Sequence, residues 1–433
     1  MRGRRRGDGD TEEARLSSIE PHRTEIQSVV EAGSVHALLQ PVVDFGTGRV
    51  VGHEALARGP AGSSLAAPMN LFDAAREANL TARLDWACRL AAVSAAETAR
   101  IGPPAALFVN VEPTALLAPG PTVGESVWID HLRRGHVVIE VTERSLAADP
   151  AGVLSALTPL RRLGARVALD DVGTHPESLA LLPFIQPEVI KLDRSIVQEP
   201  ASERATDVVH AVAAESERTG AVIVAEGIET EEHAAAAQAM GATLGQGWYF
   251  GRPAPAETVE GDPGAGLRFD DEGRLPVDGA TPYEIVSSTR PVRRATKGLL
   301  LPMTKRLESH AAARGDGAVV LTALQTARNF SEGTIRRYAR LARSATFVGA
   351  LGVGVDGMPA DGVRGASLPD GDPLADEWTI TVVCPHFAAA LVARDLRDDG
   401  PDMERRFDFA VTYNRALVVE AGRSLMSRIA PAG

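Results

Sequence analysis

The chain has very little cysteine, very little lysine, no long apolar run and no excess of positive charge, and each shortage excludes something. Its two cysteines, Cys88 and Cys384 among 433 residues, are too few and too far apart for a disulfide framework or a zinc site. They read as core thiols in a reducing compartment. No stretch reaches the roughly 18–20 apolar residues that span a bilayer. The basic start, MRGRRRGDGDTEEAR, has no apolar segment after it and does not read as a secretory signal. A cytoplasmic location is expected. Acidic residues outnumber basic ones 57 to 45, a net charge of −12. That balance disfavours general nucleic-acid coating, which needs a basic excess to release counterions. Only three of the 45 basic residues are lysines: Lys191, Lys297 and Lys305.

What is present is the composition of a globular chain, 44% hydrophobic and 24% charged, which rules out disorder throughout and a fibrous repeat. The length predicts two or three domains. The charge is uneven: residues 1–282 carry 25 basic and 40 acidic side chains (−15), whereas 283–433 carry 20 and 17 (+3). Residues 1–22 are charged and aperiodic and read as a disordered tail. From about residue 35, short apolar runs alternate with helix-length segments, the βαβα rhythm of a parallel sheet. VHALLQPVVD (35–44), FGTG (45–48) and RVVGHEALA (49–57) read as a hairpin. Strands are predicted at 105–110, 136–141, 166–171, 188–193, 221–226 and 244–250, and helices at 80–100, 150–164, 201–220 and 231–241. This count over residues 23–258 fits a closed β/α barrel. An open doubly wound sheet is the alternative, but no GxGxxG opens a helix to support it.

Residues 259–282 are rich in Gly, Pro and Asp and read as a linker. A smaller α+β domain is expected over 283–433. It opens with a basic segment (290–315), followed by a strand at 319–324, a helix at 331–345, strands at 347–354 and 378–384, a helix at 386–396 and the closing segments over 407–429. Arg293, Arg294, Lys297, Arg336, Arg337, Arg340 and Arg343 read as solvated helix face, with an anion or partner surface as the alternative.

The polar residues of the first domain fall at the C-terminal ends of its apolar runs: Asn110, Glu140, Asp170, Asp171, Lys191 and Glu226, with Glu54 on the hairpin. A barrel brings these ends to one mouth. A single strand-end acid commonly caps the next helix, but the same feature at five ends points to a site. Five acidic groups cannot share a mouth uncompensated, and divalent cations resolve the repulsion. Oxygen ligands without Cys or His favour Mg²⁺ or Mn²⁺ over Zn²⁺. Adjacent Asp170 and Asp171 can serve two ions about 3.5–4 Å apart, a spacing suited to in-line attack on a phosphodiester.

EALAR (54–58), LFVN (107–110), EVTE (140–143), DDVG (170–173), KLD (191–193), EGIE (226–229) and QGWYFGRP (246–253) together resemble the EAL domain family of cyclic di-GMP phosphodiesterases. The match keeps its order over about 220 residues. The resemblance implies a TIM-like (β/α) barrel, metal-dependent hydrolysis of cyclic di-GMP to linear pGpG, and a homodimer. It makes Glu54, Asn110, Glu140 and Asp170 ligands of one metal and has Asp170 and Asp171 serve a second, with Glu226 in the same cluster. Lys191 would orient or polarise the attacking water, and Gln246 would stand near the water that the metal holds. Arg58 would pair with a ligand phosphate, and Leu56 and Gln40 would line the ligand, with Asp193 and Glu229 also on the substrate side. Glu229 would brace the loop after Asp171.

That loop departs from the family's usual DDFGTGYSSL and reads DDVGTHPESL (170–179). If position 175 needs a positive φ, His175 costs on the order of 1 kcal/mol there. His175 reads as loop packing rather than a metal ligand. Trp248 and Tyr249 read as barrel packing rather than a base-stacking platform. The 283–433 half shows no acid/base pair, activated nucleophile or phosphate loop. It resembles the DICT domain, a sensory module attached to cyclic-dinucleotide signalling enzymes, with an unknown signal or partner. Two further readings stay open: a catalytically weak or inactive cyclic di-GMP receptor, and a scaffold acting through partner contacts alone.

Overall fold

Each apolar run of the first half becomes a short strand, and the closure of these strands decides where their polar ends go. In the computed structural model, residues 24–116, 118–259, 266, 267, 269, 279–313 and 317–431 are described. The tail 1–22 and most of the linker 259–282 lie outside them. The strands are β1 (His36–Asp44), β2 (Val50–Arg58), β3 (Ala106–Asn110), β4 (Val137–Thr142), β5 (Arg166–Val172), β6 (Val189–Leu192), β7 (Val222–Ala225), β8 (Leu244–Gly245) and β9 (Ala254–Pro255). β2 to β8 run parallel in sequence order, and β1 closes the ring by pairing antiparallel with both β2 and β8. The hairpin is in register from His36–Arg58 through Gln40–Glu54.

The barrel is plugged rather than hollow. Val42, Val51, Phe108, Val138, Ala168, Val189, Val224 and Leu244, one from each of the eight barrel strands, belong to a single buried apolar cluster. Outward-facing residues such as Val109, Ile139, Leu169, Ile190 and Ile223 belong to a second core, shared with the surrounding helices. Helices Thr81–Thr98, Pro150–Arg162, Glu203–Thr219 and Glu231–Ala239 fall close to the expected segments. Ser202 and Thr230 cap the last two by accepting from the backbone N–H of Ala205 and His233. The segment 244–250 is strand only at Leu244–Gly245. Gly247 then turns the chain tightly against Ile228, where a Cβ would come within 2.0 Å of the Ile228 carbonyl oxygen.

The second half forms a seven-stranded mixed sheet of β10 (Arg293–Thr296), β11 (Val319–Thr326), β12 (Phe347–Val353), β13 (Arg364–Ser367), β14 (Glu377–Cys384), β15 (Phe387–Asp395) and β16 (Arg406–Thr412). Its order is β10-β16-β15-β14-β11-β12-β13. The helix expected at 386–396 is instead β15. FAAALVARD pairs on both sides, with β14 and β16, and nearly all of it is buried. An alanine-rich run of this length fits a central strand buried on both faces, where tertiary pairing overrides helix propensity. Helices Lys297–Ala313 and Glu332–Leu341 cover one face of the sheet, and Arg415–Met426 covers the other. Four of the basic side chains pair with acids: Arg294 with Asp408, Lys297 with Asp402, Arg336 with Glu332 and Arg337 with Glu308.

No helix among the described residues is long and apolar enough to cross a membrane. Both cysteines are buried and neither forms a disulfide, and burial pushes the Cys88 thiol up to about 12. The two sheets share a core: Phe184, Leu182 and Val208 from the barrel side join Val319, Leu321, Val418 and Leu425 in one buried cluster.

Candidate active site

The site is the layer directly above the plug. Side chains in a strand alternate between faces, so two residues beyond an inward apolar residue the next inward side chain appears. From Phe108, Val138, Ala168, Val189, Val224 and Leu244 that step reaches Asn110, Glu140, Asp170, Lys191, Glu226 and Gln246. On the hairpin the register pairs Gln40 with Glu54. All eight strands therefore contribute one polar residue to one level.

Lys191 stands at its centre. Its Nζ lies 2.6 Å from Glu140 Oε1, 2.7 Å from Glu226 Oε1, 3.0 Å from Asp170 Oδ1 and 3.2 Å from Glu54 Oε2. Burial disfavours this ammonium, but the four carboxylates outweigh it and hold its pKa well above the usual lysine value. The amides complete the layer. Asn110 Nδ2 donates to Glu54 (2.8 Å) and Glu140 (2.9 Å), and Gln246 Nε2 donates to Glu54 (2.8 Å) and Gln40 (3.3 Å). Burial opposes the Glu54 charge, yet Lys191 and these amides hold its pKa below the ordinary value. Burial raises Glu140, Asp170 and Glu226.

Adjacent strand residues ordinarily point to opposite faces, yet Asp170 and Asp171 both serve the mouth. The β5–β6 register shifts between Leu169 and Val172, and Asp171 adopts a left-handed φ of +57°. Such a bulge turns the second carboxyl inward, and aspartate tolerates the geometry better than most residues. Carboxylate oxygens of Asp170, Asp171 and Glu226 come within 4.8 Å of one another. Burial, with Asp170 and Asp193 nearby, pushes the Asp171 carboxyl up to about 6.

The loop after Asp171 is held by Glu143, the last residue of the EVTE motif. Glu143 accepts from Gly173 N (3.1 Å), Thr174 Oγ1 (3.0 Å), His175 N (2.7 Å) and Ser178 Oγ (2.6 Å). Glu229, expected to brace this loop, is exposed and lines a cavity together with Asp171. The available signal was the EVTE spacing itself: Glu143 follows Glu140 by three residues, at the start of the helix after β4. His175 has φ −128°, so the conditional strain at that position does not arise. The positive φ belongs to Gly173 (+107°), where a Cβ would meet Ile196 at 2.6 Å. Gly173→Ala is therefore expected to lower the melting temperature, whereas His175→Gly should change activity less than about twofold; a larger change would show a role for the imidazole.

Two cavities flank the polar layer. One of about 280 Å³ is lined by Gln40, Asp171, Asp193, Glu226, Glu229 and Trp248. The other, about 260 Å³, is lined by Leu56, Arg58, Asp85, Asn110, Glu140 and Thr142 among others. Asp193 also caps the following helix, accepting from Ser195 N at 2.9 Å. Trp248 and Tyr249 are not barrel packing as expected: they are 54% and 49% exposed, because the chain leaves the sheet at Gly247. Arg252 lies over the Trp248 ring at 3.9 Å. Asp85, not singled out in the sequence, is buried on helix Thr81–Thr98 and accepts from Glu112 N at 2.8 Å, anchoring the turn after Asn110.

The donor set fits divalent cations. It is all oxygen, five carboxyls face one ammonium, and the buried Glu140 Oε1 and Asp170 Oδ1 accept no well-aligned hydrogen bond. Mn²⁺ at a hundredfold excess over its Kd is expected to stabilise the protein by about 2.7 kcal/mol. Asp170→Asn should lose most of that gain in a thermal melt, and an equal gain in both proteins would place the cation elsewhere.

Fold and mouth together define a β/α barrel with a carboxylate-lined mouth whose oxygen donors could hold a divalent cation. The EAL domain family model matches residues 23–253, more than half of the chain, and the chain belongs to that family. Residues 284–396 match the DICT family, described as a sensory domain in diguanylate cyclases and two-component systems. The cyclic di-GMP phosphodiesterase RocR of Pseudomonas aeruginosa is 30% identical over 245 residues, covering 55% of this chain and 62% of RocR. An uncharacterized signaling protein of Caulobacter vibrioides is 35% identical over 236 residues, covering 52% of this chain and 29% of that protein. The chain thus spans less than two thirds of either relative. A solved manganese and cyclic di-GMP complex of BlrP1 from Klebsiella pneumoniae is 32% identical with a TM-score of 0.46, covering 52% of this chain and 56% of that one.

Proposed function

We propose that this protein hydrolyses one phosphodiester of cyclic di-GMP, giving linear pGpG, and that two Mg²⁺ or Mn²⁺ ions take part. The observation that carries the reading is the single polar layer centred on Lys191, in a member of the EAL family. In this reading Glu54, Asn110, Glu140 and Asp170 hold one ion, Asp170 and Asp171 the second, with Glu226 beside them. When bound, the ions supply charge neutralisation at the phosphate and a more acidic water.

The chain's own residues do the rest. Lys191, held protonated by its neighbours, donates to and orients the attacking water. Gln246, fixed between Gln40 and Glu54, presents its remaining hydrogen-bonding capacity at the same place. Arg58 pairs with a phosphate oxygen, Leu56 gives that side an apolar wall, and Gln40 faces the opposite half. The cavities of about 260 and 280 Å³ on either side of the cluster suit the two halves of a cyclic dinucleotide. The exposed Trp248 ring offers one half a stacking face.

Incubating the purified protein with cyclic di-GMP and Mn²⁺ and separating the products by chromatography tests the reading. Release of pGpG is expected, and a bound but unaltered dinucleotide would leave a receptor. The receptor reading draws no support from the 175–177 departure, because the Glu143 bonds are in place and His175 is unstrained. We further propose that the C-terminal domain regulates this activity. A homodimer rests on the resemblance alone, and sedimentation of the full chain would test it.

A further inference from the structure

The segment that follows the paired aspartates is held from two sides. Glu143 grips it from the barrel, and the second domain grips it from outside. The Thr346 hydroxyl donates to the Glu177 carbonyl oxygen. Gly317 lies so near the same peptide that a Cβ there would meet that oxygen at 2.8 Å. Farther along, Phe184 packs against Gly422, where a Cβ would come within 2.8 Å of the ring. Buried Arg423 donates to the side chain of Gln186, a residue in left-handed geometry (φ +49°) that ends the short helix Leu182–Ile185.

The same domain also reaches the helix that carries the clamp. Helix Glu143–Ala148 ends at Asp149, whose Oδ1 lies 3.5 Å from Arg364 Nη1. Both partners of the Glu143 clamp, the loop and the helix, therefore touch the C-terminal domain. The shared apolar core makes this contact continuous rather than a pair of surface bridges.

We propose that the second domain sets the position of Asp170 and Asp171 by gripping the 175–186 segment and the helix end at Asp149. Thr346, Arg423 and Arg364 are then positioning residues for the active site. The inference rests on the reading of Asp170 and Asp171 as metal ligands. Only Val172 separates Asp171 from Gly173, where the clamped loop begins, so a shift of that loop is felt at the carboxyls within one bulge. The sheet supplies a route inward as well. On β11 and β14, Leu321 and Val383 face the shared core, whereas Thr322, Trp378 and Ile380 line a cavity of about 70 Å³ on the opposite face. A change of packing in that cavity reaches the grip through a single layer of strands.

The test uses the full chain in four forms: unaltered, Thr346→Val, Gly422→Leu and Leu299→Ser. Leu299 is 58% exposed on the far face of the second sheet and serves as the control. Mn²⁺ binding is measured by calorimetry and backbone hydrogen exchange over 171–186 by mass spectrometry. Thr346→Val is expected to weaken Mn²⁺ binding about threefold and Gly422→Leu about tenfold, the range of coupling carried by packed contacts. Both should speed exchange over 171–186, while Leu299→Ser changes neither quantity. Faster exchange with unaltered Mn²⁺ affinity in both variants would reduce the contact to structural support and overturn the proposal. So would unaltered exchange in Thr346→Val, which decides the matter if Gly422→Leu fails to fold. If the unaltered chain binds no Mn²⁺, the metal-ligand reading falls, and the grip is then judged by exchange alone.

Discussion

Replacing Lys191 with methionine is expected to slow cyclic di-GMP hydrolysis by about 10³-fold, within the range for removing a positioned proton-handling or polarising group. The side chain is 1% exposed and its ammonium lies within 3.2 Å of four carboxylates. Methionine keeps the length and removes the charge, so the packing of the plug beneath it should survive. The metal-free variant, however, leaves the acids without their one compensating cation. Breaking a buried pair in this way costs roughly 3–5 kcal/mol, and Mn²⁺ should restore much of that loss by taking over the compensation. The measurements are turnover and a pair of thermal melts with and without Mn²⁺. Turnover within tenfold of the unaltered protein would remove Lys191 from the chemistry. A melt that Mn²⁺ does not rescue would mean that the variant's defect is one of packing.

Glu143→Ala should produce the second large effect without touching any proposed ligand. Four hydrogen bonds from Gly173, Thr174, His175 and Ser178 converge on this carboxylate, and all four are lost together. Supporting groups behind metal ligands typically carry 10–100-fold of affinity or activity, so turnover is expected to fall by about that factor. Glu143→Gln should fall less, because one amide oxygen still accepts while the amide nitrogen cannot take the place of the second acceptor. Hydrogen exchange over 173–178 should rise in the order unaltered, Gln, Ala. If turnover in Glu143→Ala matches that of the unaltered protein, the loop does not position Asp170 and Asp171.

The strand ends were legible because the barrel repeats one rule: an apolar inward residue, then a polar one two positions on. Asn110, Glu140, Asp170, Lys191, Glu226 and Gln246 all obey it, and periodicity needs no knowledge of partners. Asp171 breaks the rule, and its inward turn depends on a left-handed bulge that no propensity announces. Glu143 was visible only as a letter in EVTE, since its work is done on backbone N–H groups thirty residues away. The run Phe387–Asp395 favours a helix locally because it is rich in alanine, whereas its two sheet neighbours, chosen by the tertiary fold, make it a strand. Trp248 and Tyr249 read as packing in the sequence, but the chain leaves the sheet before Gly247 and exposes both rings.

The buried position of Lys191 has a practical consequence. The other two lysines of the chain, Lys297 and Lys305, both lie on helix Lys297–Ala313 of the second domain, and Lys305 is exposed. Lysine-directed acylation would therefore mark that helix and leave the active-site amine shielded by its own carboxylates. A dye or a surface tether attached in this way would hold the protein by the second domain.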